Sequence, residues 1–187
     1  MIAEGGKKFT ALNLLMDQPG GVRMEMNNLE NLYVEELRDL YDAERQLLNT
    51  LPKLEQAANS SGLKHDFQEH YARTQQHKQR LEQIFQDRNE SPDGKRCVGM
   101  QGIIQEGEQI LQNPNIDPAV EDAALIAGAQ KAEHYEIAGY GTVRTYAKEL
   151  GFGKHARVLD MTLNEETDFD KRLTSIAEDH INEDAET

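Results

Sequence analysis

The chain has 187 residues, a hydrophobic fraction of 37%, a mean hydropathy of -0.75 and a formal net charge of -14. No apolar run approaches the roughly 18 residues that a membrane span needs, and the acidic surface excludes duplex nucleic acid and anionic membranes as expected partners. The single cysteine, Cys97, cannot form an internal disulfide, so we expect a reducing, cytoplasmic location.

The first 27 residues differ in composition from the rest of the chain. They contain Gly5-Gly6 and Pro19-Gly20-Gly21, and their one apolar stretch is short and mixed. We expect residues 1–27 to form a disordered extension, residues 28–181 to form one helical domain, and residues 182–187 to form an acidic tail.

Glycine, proline and capping residues divide the helical domain into four long predicted helices and one short one. The predicted helices cover about residues 28–60, 63–87, 98–112, 118–150 and 154–181. Asn28 and Asp117 are favourable N-caps, and Pro118 suits the first position of the third long helix.

The lengths of the connections predict the topology. Tight turns pair the first long helix with the second and the third with the fourth, as two antiparallel hairpins. The connection between the hairpins carries the short helix and is long enough to cross the whole bundle. The sequence therefore predicts an all-α, ferritin-like bundle of four long helices with a short crossover helix.

Each long helix has an apolar stripe at spacings of three and four residues, and polar side chains interrupt each stripe near its middle. These side chains are Glu44, then His70 and His77, then Glu133 flanked by Glu136, and then Glu166 with Asp170 one turn later. Counted outward from the tight turns, Glu44 lies level with His77, and Glu133 lies level with the Glu166 and Asp170 pair.

Converging carboxylates and imidazoles in a core are typical of a site for a divalent transition metal, because the cation compensates the cost of burying charge. We therefore predict these seven side chains as ligands for iron or manganese. A buried network held together by hydrogen bonds alone is the alternative.

Several segments resemble the bacterial YciE/YciF family. They are DLYDAERQL at 39–47, KRCVGMQGII at 95–104, DAALI at 122–126 and, most specifically, QKAEHYEIAGYGT at 130–142. The resemblance covers residues 28–181. It implies a ferritin-like fold, a homodimer and an association with bacterial stress responses, without a settled biochemical activity.

The usual di-iron pattern of ferritin-like proteins is only partly present. Glu44 and Glu133 match the places of the two single glutamates, but no Glu-x-x-His occurs in the chain. The corresponding places hold Thr74-x-x-His77 and Glu166-x-x-Phe169, so a ferritin-type ferroxidase is not implied.

Three hypotheses follow for function. We favour a stress-response protein that is not an enzyme or is only weakly catalytic, with a transition metal in the bundle. The first alternative is a divergent metal-dependent oxidase or peroxidase of the di-iron carboxylate type, and the second is a purely structural bundle with a polar core. The apolar side of the crossover helix, which includes Ile103 and Ile110, could form a homodimer interface or cap its own bundle. The resemblance to the family favours the homodimer.

Overall fold

The computed structural model describes residues 26–186, so the predicted N-terminal extension lies outside the described residues except for its last two positions. The described chain is helical and confirms the predicted all-α bundle. Its helices are α1 Leu29–Ala57, α2 Ser61–Asp87, α3 Val98–Leu111, α4 Pro118–Glu149 and α5 Gly153–Ile176, followed by a π-helical turn Ala177–Ile181 and α6 Asn182–Glu186. None of the helices within this range has the length and apolar character needed to traverse a lipid bilayer.

The helix ends follow the predicted capping residues. The Asn28 side chain accepts a hydrogen bond from the backbone N–H of Asn31 at 2.8 Å, and the Asp117 side chain accepts one from the N–H of Ala119 at 2.9 Å. Gly151 lies in the turn between α4 and α5 with a φ of 77°, a left-handed conformation that favours glycine.

The turn between α1 and α2 is held by a residue from another helix. The two oxygens of Asp122, in α4, accept hydrogen bonds from the backbone N–H groups of Asn59 and Ser60, each at 2.7 Å. This contact fixes the turn at these residues, so α1 ends at Ala57, a few residues before the predicted end.

Two apolar clusters fill the opposite ends of the bundle. The first includes Leu47, Leu51, Leu63, Phe67, Leu125, Ala129, Phe169 and Leu173, and the second includes Tyr33, Leu37, Leu40, Leu81, Ile84, Tyr140, Val143 and Leu159. On every long helix the predicted polar residues lie between the residues of the two clusters, except Asp170, which lies between Phe169 and Leu173 of the first cluster. The core is therefore apolar at both ends and polar in the middle.

The C-terminal segment remains helical. The last long helix was predicted over residues 154–181 and the acidic tail over 182–187. In the structure, the π-helical turn buries Ile181, which is 3% exposed, and leads into α6, which continues to Glu186.

Candidate metal centre

The middle of the bundle contains six buried ionisable side chains that we call the polar layer. They are Glu44 from α1, His70 and His77 from α2, Glu133 and Glu136 from α4, and Glu166 from α5. Each has 2% or less of its surface exposed. All four long helices thus direct titratable groups to one level of the core.

The polar layer divides into two sets of converging ligand atoms. The first set, site A, consists of His70, Glu133, Glu136 and Glu166; the second, site B, consists of Glu44, His77 and Glu166. Within each set, one nitrogen or oxygen from every residue lies within 4.8 Å of the others. Glu166 belongs to both sets, so the two sites are adjacent and share one carboxylate.

The distances within the sites are close to those that a metal ion requires. In site A, His70 Nε2 lies 3.2 Å from Glu133 Oε1 and 4.0 Å from Glu166 Oε2. In site B, His77 Nδ1 lies 2.7 Å from Glu166 Oε1 and 3.7 Å from Glu44 Oε1. Two ligands of one ion can be at most about 4.2 Å apart, since each typically lies about 2.1 Å from a transition metal. Small side-chain adjustments would therefore suffice for binding.

Many atoms of the polar layer lack a hydrogen-bond partner. These are Oε2 of Glu44, both ring nitrogens of His70, Nδ1 of His77, Oε2 of Glu133 and both carboxylate oxygens of Glu136 and of Glu166. The short approach of His77 to Glu166 is an ion-pair distance without regular hydrogen-bond alignment. Buried polar atoms are nearly always satisfied in folded proteins, so this concentration calls for an additional partner.

Burial and mutual repulsion disfavour ionisation of most of the carboxylates. Burial raises the pKa of Glu44 to about 8, and burial together with the charge of Glu166 raises the pKa of Glu133 well above its ordinary value. Burial and the neighbouring glutamates do the same to the pKa of Glu136. In the absence of a cation, these three side chains are therefore held largely in the protonated form.

The histidines respond in opposite directions. Burial lowers the pKa of His70 to about 4, which keeps its imidazole neutral and available as a ligand. Burial also opposes the charging of His77, but its contacts with Glu166 and Glu44 outweigh burial and raise its pKa to about 9. The same contact outweighs burial at Glu166 and lowers the pKa of that carboxylate.

The ligand set has the charge that a pair of divalent ions would need. Ionised Glu44, Glu133, Glu136 and Glu166 carry four negative charges, and two divalent cations would neutralise them while both histidines stay neutral. Mixed carboxylate and imidazole ligands suit iron and manganese. The residues present therefore fit a dinuclear transition-metal centre.

Surrounding residues orient the ligands of site B. His77 Nε2 contacts Glu165 Oε2 at 2.8 Å, and Arg80 holds Glu165 with bonds of 2.7 and 3.0 Å. The hydroxyl of Tyr140 donates a short hydrogen bond to Glu44 Oε1. Such contacts commonly fix the orientation of metal-binding histidines and carboxylates. Glu165 was not among the predicted site residues, because its only sequence signal is that it precedes Glu166.

Six of the seven predicted ligands come together in the polar layer. Asp170 is not among the converging groups; its carboxylate accepts a hydrogen bond from the Gln130 side chain at 3.3 Å and lies 3.6 Å from His134 Nε2. Thr74 donates its hydroxyl to the backbone carbonyl of His70 at 3.0 Å and is not a member of either site.

Cys97 lies outside the polar layer, at the start of α3. Its sulfur lies 3.1 Å from Asp39 Oδ2 and 3.1 Å from the Tyr135 hydroxyl, and burial raises the pKa of the thiol to about 11. A thiol with this pKa is poorly nucleophilic at neutral pH.

Comparisons with known proteins agree with this architecture. The sequence profile of the Domain of unknown function (DUF892) matches residues 28–186. Protein YciF from Escherichia coli strain K12 is 39% identical over 164 residues, which cover 87% of this chain and 98% of that protein.

Solved structures show the same similarity. The crystal structure of the E. coli stress protein YciF matches with a TM-score of 0.80 and 39% identity, covering 84% of this chain and 99% of that one. YcfI from Rhodopseudomonas palustris matches with a TM-score of 0.77 and 36% identity, covering 82% of this chain and 96% of that one.

Proposed function

Because the chain belongs to the DUF892 family, we propose that it is a bacterial stress-response protein whose bundle holds two divalent transition-metal ions, iron or manganese. The link to stress rests on the description of its relative from E. coli as a stress protein. The assignment of metal rests on the polar layer.

The sharing of Glu166 between sites A and B is the observation that carries the proposal. His70, Glu133 and Glu136 would hold one ion, Glu44 and His77 would hold the other, and Glu166 would contact both. Bound iron or manganese would supply Lewis acidity and one-electron redox chemistry at this position. The protein itself excludes water from the site and fixes the ligands.

A polar layer held together only by hydrogen bonds is the competing explanation. The chain of contacts from Arg80 through Glu165 to His77 supports it at one edge of the layer. It does not account for the two unpartnered oxygens of Glu136, which a cation would satisfy. The oxidase or peroxidase alternative requires the same ions, so the metal content has to be measured first.

The metal content of the purified protein tests the proposal. The full chain is expressed with supplemental iron or manganese and purified without chelator and without a metal-affinity column. We expect about two ions per chain in elemental analysis, one for each ligand set.

Substitution of the shared carboxylate provides the specific comparison. Glu166→Gln should lower the metal content of both site A and site B. Asp170→Asn, a change outside both sites, should leave the metal content unchanged. Metal-free parent protein that also fails to bind either ion on titration would refute the proposal.

A further inference from the structure

An apolar groove lies between the crossover helix α3 and the bundle. Its walls include Leu51 and Leu54 from α1, Ile104 and Leu111 from α3, and Ala129 from α4, and it encloses a cavity of about 60 Å³. Most of its lining is hydrocarbon, with few groups that can form hydrogen bonds.

The lining of the groove includes both exposed residues and one member of site A. Lys53 Nζ and Glu108 Oε1, from two of the lining residues, form an exposed ion pair at 3.2 Å. Glu133, a buried member of site A, also lines the groove, and its Oε2 has no hydrogen-bond partner. The groove therefore reaches a candidate metal ligand from outside the bundle.

Two glycines keep this space open. Gly107 on α3 and Gly128 on α4 both line the groove, and a Cβ added to either would meet no atom within 4 Å. Glycine is unfavourable in the middle of a helix, so each of these residues lowers the stability of its helix. Neither residue places a side chain in the groove.

We propose that the groove admits dioxygen to site A. The inference rests on the proposed metal centre and names the small molecule that reaches it. A volume of about 60 Å³ is sufficient for a small molecule, since one water needs roughly 10–15 Å³ by the same measure. Hydrogen peroxide would lose its hydrogen bonds to water in such a lining, whereas dioxygen has almost none to lose.

Xenon tests the groove without any metal. It is an inert apolar atom that occupies dry apolar cavities. Crystals of the metal-free full chain are pressurised with xenon, and we expect a xenon peak between α1, α3 and α4. Gly128→Leu should remove the peak by filling the space.

A matched control is available on α3. Gly102→Leu is the same change at a site that also has no atom within 4 Å of the added Cβ but does not line the groove. It should leave the xenon peak in place. Gly107→Leu provides a second blocking variant if Gly128→Leu does not fold.

The second measurement concerns passage to the metal. Nitric oxide, a small apolar gas that binds ferrous iron reversibly, serves as the probe with iron-loaded protein under anaerobic conditions. Its association rate should fall roughly tenfold or more in Gly128→Leu, because local opening of the helices would then be the remaining route. The rate for Gly102→Leu should match that of the parent.

The outcomes separate this inference from the metal proposal. Absence of xenon from the groove, or its occupation by side chains of a second copy of the chain, overturns the inference whether or not metal binds. A nitric oxide rate that Gly128→Leu leaves unchanged overturns the route to site A. Failure to bind iron refutes the metal centre, and the xenon result still decides whether the groove admits a small apolar molecule.

Discussion

The side chains of the polar layer differ in protonation state because their surroundings differ. Glu166 is ionised beside His77, whereas Glu44, Glu133 and Glu136 retain protons because burial and repulsion disfavour their charged forms. A cation that enters the layer must therefore displace protons, and its affinity should increase with pH.

Glu133→Leu should abolish the thermal response to metal. In the parent, manganese or ferrous iron at 100 times its dissociation constant should stabilise the fold by about 2.7 kcal/mol, because the ion binds only the folded state. The metal-free variant should be at least as stable as the metal-free parent, since a buried carboxylate without a partner is replaced by hydrocarbon. Thermal unfolding with and without metal measures both effects.

Asp170→Asn is the control for this substitution, because Asp170 lies near the layer but outside both sites. Its melting temperature should rise with metal as much as that of the parent. An undiminished metal response in Glu133→Leu would mean that the ion binds elsewhere on the acidic surface. A large loss of stability in metal-free Glu133→Leu would instead support the hydrogen-bonded network.

The metal-free protein should become less stable as the pH rises from 6.5 to 8. The folded-state pKa values of Glu44, about 8, and His77, about 9, both exceed their ordinary values of 4.5 and 6.5. The folded state thus binds more protons than the unfolded state over this range, and the free energy of unfolding must fall with pH. The lowered pKa of His70 acts in the opposite direction, but its contribution fades above pH 6.5, because the unfolded imidazole is then losing its own proton.

Urea denaturation in the presence of a chelator measures this dependence. Glu44→Gln removes one of the groups whose pKa is raised in the folded state, so its stability should fall less steeply with pH than that of the parent. A free energy of unfolding that rises between pH 6.5 and 8 would contradict the assigned direction of these pKa shifts.

The sequence indicated most of the site because a charged residue in an apolar stripe stands out by periodicity alone. It could not distinguish Glu166 from Asp170, since side chains one helical turn apart share a face and only the packing decides which one enters the core. Glu165 of α5 lies off the stripe. It contacts both His77 and Arg80 of α2, so its role depends on how the two helices pack.

Helices approach one another most closely where a glycine allows it. A Cβ at Gly139 of α4 would lie 2.7 Å from Leu40 Cδ2 of α1, whereas a Cβ at Gly141 would meet no atom within 4 Å. The same helix therefore offers a crowded glycine and an open one two residues apart.

Alanine at these two positions should change stability in opposite directions. Gly141→Ala should stabilise the protein by up to about 1 kcal/mol through helix propensity. In Gly139→Ala, overpacking against Leu40 costs about 1–3 kcal/mol and should cancel or exceed the same gain. Urea denaturation compares the two variants, and an equal stabilisation of both would show that Leu40 moves aside freely.

Helix starts were predictable where the capping residue is local. Asn28 and Asp117 cap α1 and α4 with their own side chains, as their sequence context indicated. The end of α1 was less accurate because Asp122 fixes the following turn from a position 62 residues away in the chain. The groove beside α3 was not predictable, since periodicity does not encode where a crossover helix rests on its bundle.

The complete bundle exposes several large apolar side chains on or near α3. Val98 is 71% exposed, and Val120 near the start of α4 is 42% exposed. Neither residue lines the groove, and both support the proposal that a second copy of the chain covers them in a homodimer.

Sedimentation velocity over a range of concentrations tests the assembly. The full chain should remain dimeric at tens of micromolar, roughly the behaviour expected of an interface that buries about 1,600 Å². Val98→Lys should weaken the dimer, whereas Met161→Lys, a similarly exposed change on α5, should not. A monomeric parent at this concentration would contradict the proposal.

The position of Asp122 also has a consequence for how the chain folds. Two hairpins joined by a long connection could unfold one after the other, as separate cooperative units. Because a buried carboxylate of α4 holds the backbone of the α1–α2 turn, opening the second hairpin also releases the first. In hydrogen exchange, the slowest amides of both hairpins should therefore exchange together through one global opening, and Asp122→Ala should weaken this coupling.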